Sequence, residues 1–313
     1  MTVQWKGIYS ALLTPFTKAN AIDPEMFALN LNTQLDAGID GIVVGGSLGE
    51  ASTLLNSEKM ELIRISKDVM TRPVPVIMNI AEQSTKCAID SAKDAERSGA
   101  NGLMLLPPLR YKADNVETLS YFKAVASATS LPIMIYNNPF DYRIEVTISM
   151  FEELAEIPSF QAVKESTRDV TNVTRMRNHF GDRFKILCGV DTLALEELAL
   201  GVDGWVGGLV DAFPAETVAI YQLMRAGKYA DALKIYRWFL PLLELDIHSK
   251  FVQYIKLAAQ QTGIGSENVR PPRLPLFGEE RLTILKTIEN AIATRPNLTN
   301  HPLTKMINNV EEV

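Results

Sequence analysis

The chain is poor in the residues that usually signal a metal site or a disulfide scaffold. Its 313 residues include two cysteines, Cys87 and Cys188, and three scattered histidines, His179, His248 and His301, none at zinc-ligand spacing. A disulfide framework is not expected, and neither a metal nor an organic cofactor is. Positive charge is also short, with 31 Lys and Arg against 37 Asp and Glu and a net charge of -6. That balance argues against nucleic acid or an anionic membrane as a partner. No apolar run reaches the roughly 18 residues of a membrane span. The first residues, "MTVQWKGIYSALLTPF", lack the order of a signal peptide. A cytoplasmic protein is the expectation.

Apolar residues make up 47% of the chain, enough to bury a large core. Short apolar runs alternate with amphipathic ones eight times. The strand-like runs cover residues 7–13, 41–46, 75–80, 102–107, 132–137, 160–165, 185–190 and 204–209. Near-continuous apolar strands suit a parallel sheet covered on both faces. Helix starts are expected at Asp23-Pro24 and at Ser57, with Asn115, Thr147 and Asp169 as later caps. The pattern predicts an α/β fold, a (βα)8 barrel over residues 1–226. A C-terminal helical region over 227–313 then packs on the outside or against another subunit, with a polar, frayed tail from about Arg295.

The sixth run, "FQAVKE", ends on a lysine where a barrel gathers its chemistry. Three readings compete for Lys164: a snorkelling rim residue, an ion-pair partner of Glu165 or Glu50, and an amine nucleophile whose pKa burial has lowered. The fifth strand ends with Tyr136 at the same level, either a proton shuttle or an aromatic filling the barrel mouth. The second strand ends "VVGGSLGEAS", a glycine turn with a hydroxyl at Ser47. Its exposed N–H groups either hold a carboxylate or belong to a tight turn that needs glycine. It matches neither a dinucleotide fingerprint nor a P-loop.

Together "ALLTPF" (11–16), "GGSLGEASTL" (45–54), "YNNP" (136–139), "VKES" (163–166) and "CGVD" (188–191) resemble the dihydrodipicolinate synthase and N-acetylneuraminate lyase superfamily over nearly the whole chain. The resemblance implies a Schiff-base barrel enzyme, a dimer or tetramer, acting on a small 2-oxo or 2-imino acid. It implies Lys164 as the nucleophile, Tyr136 as the proton shuttle and Ser47 as its link to solvent or a neighbouring tyrosine. Gly46, Leu48, Gly49, Asp141 and Val206 would meet the substrate.

Several positions depart from the synthase pattern. Ser47-Leu48 replaces a threonine pair, and Asp141 stands where an arginine grips the second substrate, with Arg143 out of register. Pro108 and Leu109 replace a double tyrosine, leaving Tyr111 as a phenol able to reach in. The whole set, with "RWFLPLLELDIHSKFVQYIKL" and "VRPPRLPL", looks most like the 1-pyrroline-4-hydroxy-2-carboxylate deaminases of hydroxyproline degradation. The alternatives are a dihydrodipicolinate synthase, an aldolase or dehydratase of a 2-oxo sugar acid, and a non-enzymatic binder of small acids.

Overall fold

A computed structural model describes residues 2–298. Eight parallel strands close into a barrel in sequence order. They are β1 Gly7–Ala11, β2 Gly41–Val44, β3 Val76–Ile80, β4 Gly102–Leu105, β5 Ile133–Asn137, β6 Phe160–Glu165, β7 Lys185–Cys188 and β8 Gly204–Gly207. β1 pairs with both β2 and β8, so no strand edge is left open. The expected (βα)8 architecture is the one observed.

The apolar runs read from sequence extend up to two residues past several strands. Leu12 and Leu13 after β1 and Leu106 after β4 are buried although they lie outside the ladder. Hydrophobicity marks burial, and at these barrel ends burial outlasts strand pairing.

Side chains alternate across each strand, which sorts the core into two layers. Inward residues such as Val43, Ile77, Met104, Met134, Ala162 and Leu187 pack with one another inside the barrel. Outward residues such as Ile42, Val76, Leu105, Ile135 and Val163 join the larger cluster beneath the helices. Trp5 stacks on Tyr9 with ring centroids 6.0 Å apart and belongs to the inner cluster.

Helix starts depart from the expected caps at three of five places. Asp23 accepts from the Met26 N–H, and Thr147 from Met150. The second helix begins at Asn56, not Ser57, because Glu58 reaches back to the Leu55 N–H at 2.8 Å. Asp114, not Asn115, caps the helix Asn115–Ala126 in a reciprocal capping box with Glu117. Asp169 is not the cap of Thr171–Phe180: Val170 holds that position with no side-chain cap, and Asp169, one residue earlier, accepts from the Thr171 N–H.

After β8, the helices Pro214–Arg225 and Tyr229–Leu243 lead to a single 3-10 turn, Glu244–Ile247. Helices Phe251–Gln261 and Gly278–Ala293 follow. This region does more than pack outside, since residues 246–249 line the cavity that also holds Lys164. Lys256 lies at 0% exposure and bonds Glu50 at 2.5 Å, the Thr14 carbonyl at 2.8 Å and the Asn268 carbonyl at 2.7 Å. That cluster ties the C-terminal region to the loops after β1 and β2. Arg295 holds both carboxylate oxygens of Glu216, at 2.5 and 2.9 Å, so the chain is anchored where a frayed tail was expected. The rest of that expected tail, from residue 299, lies outside the described residues.

Candidate active site

The alternation that builds the core also aims the site. Ala162 belongs to the inner cluster, so Lys164 two residues on points inward and Glu165 points out. Register pairs Lys164 with Tyr136 on β5 and with Leu187 on β7. The Lys164 ammonium nitrogen stands over the Tyr136 ring, 4.3 Å from its centroid. Gly189 gives the lysine stem its passage, since a Cβ there would lie 2.7 Å from Lys164 Cγ.

Neither proposed ion-pair partner of Lys164 reaches it. Glu165 faces the helices and accepts from the Thr167 N–H and from Asn172, each at 2.8 Å. Glu50 is fully buried against Lys256. Snorkelling fails as well, because Lys164 is 7% exposed. Burial lowers its pKa, opposed by the negative potential of Asp246 and Asp191. The arrangement therefore favours a neutral, nucleophilic amine.

Tyr136 is buried, and its hydroxyl accepts from Asn138 Nδ2 at 3.1 Å. Its ring meets that of Tyr142 edge-on, with centroids 5.7 Å apart at 70°. Tyr142 ends the short helix Pro139–Tyr142, and its hydroxyl hydrogen-bonds Ser47 Oγ. Burial raises both phenols above their ordinary range, so each keeps its proton and neither is a standing phenolate. A line of hydroxyl-bearing groups thus runs from Lys164 through Tyr136 and Tyr142 to Ser47.

Of the two links expected for Ser47, solvent or a neighbouring tyrosine, the structure brings a tyrosine of this chain, Tyr142, to it. Tyr111, the other expected phenol, is 55% exposed and lines no part of this cavity.

The glycine turn after β2 has the predicted form. Gly45 sits at φ +63°, where a side chain would be strained. Glu50 N–H and Ala51 N–H close the turn onto the Ser47 and Gly46 carbonyls at 3.2 and 3.0 Å. The amide N–H groups of Ser47 and Leu48 enter no backbone hydrogen bond among the described residues, so they remain available to an anion. Gly46 and Leu48 line the cavity, as do Asp141 and Val206. Gly49 does not line it. It lies behind the turn, where its carbonyl accepts from Thr14 Oγ1 at 2.8 Å.

These groups enclose about 410 Å³. The rim holds features that sequence reasoning missed. Arg168 adopts φ +63° and lays its guanidinium 3.4 Å over the Phe140 ring. Ser166 Oγ is buried near the Tyr136 phenol yet has no hydrogen-bond geometry to it or to any other described group. Asp246 lines the same cavity from the 3-10 turn beyond the barrel. Asp191 accepts from Trp205 Nε1 at 2.8 Å and from the Leu209 N–H at 2.8 Å, which fixes it beside β8. Arg143 is exposed and takes no part. Among the described residues no group of three His, Cys, Asp or Glu side chains is placed to hold a metal ion, and no helix is long and apolar enough to cross a membrane.

Comparison with known proteins agrees with this geometry. Residues 4–291 match the model of the dihydrodipicolinate synthetase family. A 4-hydroxy-tetrahydrodipicolinate synthase from Exiguobacterium sibiricum is 34% identical over 272 residues, 87% of this chain and 92% of that one. The enzyme of that name from Pelodictyon phaeoclathratiforme is 30% identical over 285 residues, 91% of this chain and 96% of its own. Among solved structures, a dihydrodipicolinate synthase from Bacillus anthracis superposes with a TM-score of 0.88 at 30% identity, covering 92% of this chain and 99% of that one. One from Acinetobacter baumannii, complexed with pyruvate, gives 0.87 at 25% identity over 92% and 99%. With sequence, barrel and family model in agreement along nearly the whole chain, it belongs to the dihydrodipicolinate synthetase family and is a class I, Schiff-base lyase.

Proposed function

We propose that Lys164 forms the Schiff base and that the substrate is the cyclic imino acid 1-pyrroline-4-hydroxy-2-carboxylate, deaminated with dehydration to 2,5-dioxopentanoate. The observation that carries this reading is the charge of the cavity. Asp141 sets a negative charge at its mouth, and the acid group of Asp246 lines it together with Lys164. A substrate with one carboxylate and a basic nitrogen suits such a pocket better than one with a carboxylate at each end.

The substrate carboxylate would lie on the Ser47 and Leu48 N–H groups, which places C2 near Lys164. The neutral amine attacks C2 and the ring C2–N bond breaks, leaving a primary amine on C5. A proton leaves C3 and the C4–O bond breaks, with Tyr136 carrying the proton to the departing water. The unsaturation shifts to C5 as an imine, and hydrolysis at C5 and C2 releases ammonia and the free lysine. One water is consumed overall. C5 is oxidised as C4 is reduced, so no outside oxidant enters. Tyr142 and Ser47 return protons to and from solvent.

A second reading is supported by two other observations. The relatives at 30–34% identity carry the synthase name, and Arg168 at the rim offers a cation to a second carboxylate. The two readings separate in paired assays on one preparation. Ammonia release from the cyclic imine, with negligible condensation of pyruvate and aspartate semialdehyde, supports the deaminase. The converse result establishes the synthase.

A further inference from the structure

Glu244–Ile247 lies beyond the barrel in sequence, yet it delivers a carboxylate to the barrel mouth. Asp246 packs against the end of β8 so closely that a Cβ on Gly208 would lie 2.8 Å from its Oδ1. It shares the cavity with Lys164 and makes no ion pair with an arginine, lysine or histidine among the described residues. Four titratable groups face it: Lys164 from β6, Asp191 from the loop after β7, Asp141 from the short helix after β5, and Tyr136 from β5. Arg168 and its own neighbour His248 line the same space. Burial and the charge of Asp191 favour the protonated acid, as burial favours the neutral amine of Lys164. A second observation points to a polar ligand in this cavity. Ser166, 1% exposed, holds its hydroxyl there without a hydrogen-bond partner.

We infer that Asp246 receives the nitrogen end of the substrate, holding and protonating the amine set free when Lys164 opens the ring, an inference that rests on the deaminase reading above. In that step the ring nitrogen leaves C2 with the bonding electron pair and becomes the C5 amine. The Asp246 acid passes its proton to this amine, producing an ammonium beside a carboxylate. The pair keeps the amine from attacking C2 again and closing the ring. After the C4 hydroxyl has left, the proton returns to Asp246 as the nitrogen becomes the C5 imine, and hydrolysis releases ammonia. The acid ends as it began. The C-terminal region would thus supply a catalytic group for the nitrogen, while the relay through Tyr136 serves carbon and oxygen.

The test compares full-length wild type, Asp246→Asn and Asp246→Glu. Each is treated with borohydride in the presence of pyruvate or of the cyclic imine, and ammonia release is followed against pH. Asn should still trap pyruvate on Lys164 but release ammonia about a hundredfold or more slowly, with the alkaline limb of the wild-type pH profile lost. Glu should recover release to within about tenfold. Ammonia release by Asn at the wild-type rate, or an equal loss of trapping and release, overturns the inference while leaving the deaminase reading intact. If Asn does not fold, as thermal melting would show, Glu decides: recovery supports the proton role, and release below about a hundredth of wild type removes it. A wild type that releases no ammonia from the cyclic imine fails the reading itself, and the inference with it.

Discussion

Lys164 and Tyr136 are register partners on adjacent strands, and the amine of one stands 4.3 Å from the ring centre of the other. In the proposed mechanism, this contact places the nucleophile and the first proton carrier together before any substrate arrives. Lys164→Ala and Lys164→Arg should both lose covalent trapping of pyruvate by borohydride. A guanidinium stays protonated and cannot take the place of a neutral amine. Trapping on another lysine, read by peptide mass spectrometry, would contradict the assignment. Because burial lowers the Lys164 pKa, trapping should rise with pH along a limb below that of an ordinary lysine.

The hydroxyl line predicts a graded and non-additive response. Tyr136→Phe should lose about two to four orders of magnitude in turnover, with little change in melting temperature. Tyr142→Phe and Ser47→Ala interrupt the same bond from opposite sides. Each should cost less than Tyr136→Phe, because water replaces a distant relay group more readily than a near one. The double variant should be no worse than the poorer single one, a coupling that a double-mutant cycle measures. Full additivity would show that Ser47 and Tyr142 do not act as a unit.

How far the sequence could reach is visible at these residues. Lys164 and Glu165 are adjacent, and period-two alternation alone sends one inward and the other outward. Tyr136 follows from the same rule on β5. Tyr142 was harder to foresee, because a four-residue helix after Pro139 decides whether its ring turns back over the barrel. Arg168 depends on a left-handed backbone conformation that the sequence does not announce. Asp246 is the least legible. It lies in a segment whose pattern is helical, far along the chain from Lys164, and only the packing of the C-terminal region brings the two together.

Lys256 and Glu50 form a pair with 1% and 0% of their side chains exposed. Burying the pair has a desolvation cost, but removing Lys256 leaves the buried Glu50 only the Arg270 N–H at 3.1 Å and the more distant Arg273 at 3.6 Å. Lys256→Met should therefore destabilise the fold by roughly 3–5 kcal/mol. Replacing both residues with apolar side chains should recover much of the loss. Chemical denaturation of the single and double variants gives the measurement, and a single variant within about 0.5 kcal/mol of wild type would refute the argument.

Asp211 predicts a pH dependence of stability. It is fully buried, accepts from the Leu13 N–H at 3.0 Å, Gln34 at 3.1 Å and Ser10 at 3.3 Å, and burial pushes its pKa up to about 8. The folded chain therefore binds more protons than the unfolded chain between the ordinary carboxylate range and about pH 8. In that window its contribution to stability falls as pH rises, by at most about 1.4 kcal/mol per unit. Asp211→Asn keeps an acceptor for Leu13 and Gln34 and can donate to Ser10, so it should show a flatter stability curve over the same range. Parallel pH slopes for the two proteins would mean that Asp211 is ionised throughout.

Asp141 and Arg168 set opposite charges at the cavity mouth, and the outcome at this rim is a matter of substrate length. Pyruvate has no second carboxylate to meet them, whereas 2-oxoglutarate carries one two carbons farther out. Asn138 Nδ2 holds Asp141 at 2.7 Å, which fixes its negative charge on the cavity side. The site is open to solvent, so screening keeps each effect near 1 kcal/mol, about fivefold in binding. Asp141→Asn should improve competition by 2-oxoglutarate against pyruvate trapping by about that factor, and Asp141→Arg should improve it further. Arg168→Ala should act in the opposite direction, while trapping of pyruvate alone changes little in all three variants. High salt should shrink the differences, because exposed charges carry them. If Asp141→Arg leaves the preference unchanged while Arg168→Ala abolishes 2-oxoglutarate binding, the arginine governs the mouth and the second carboxylate is the group the enzyme is built to hold.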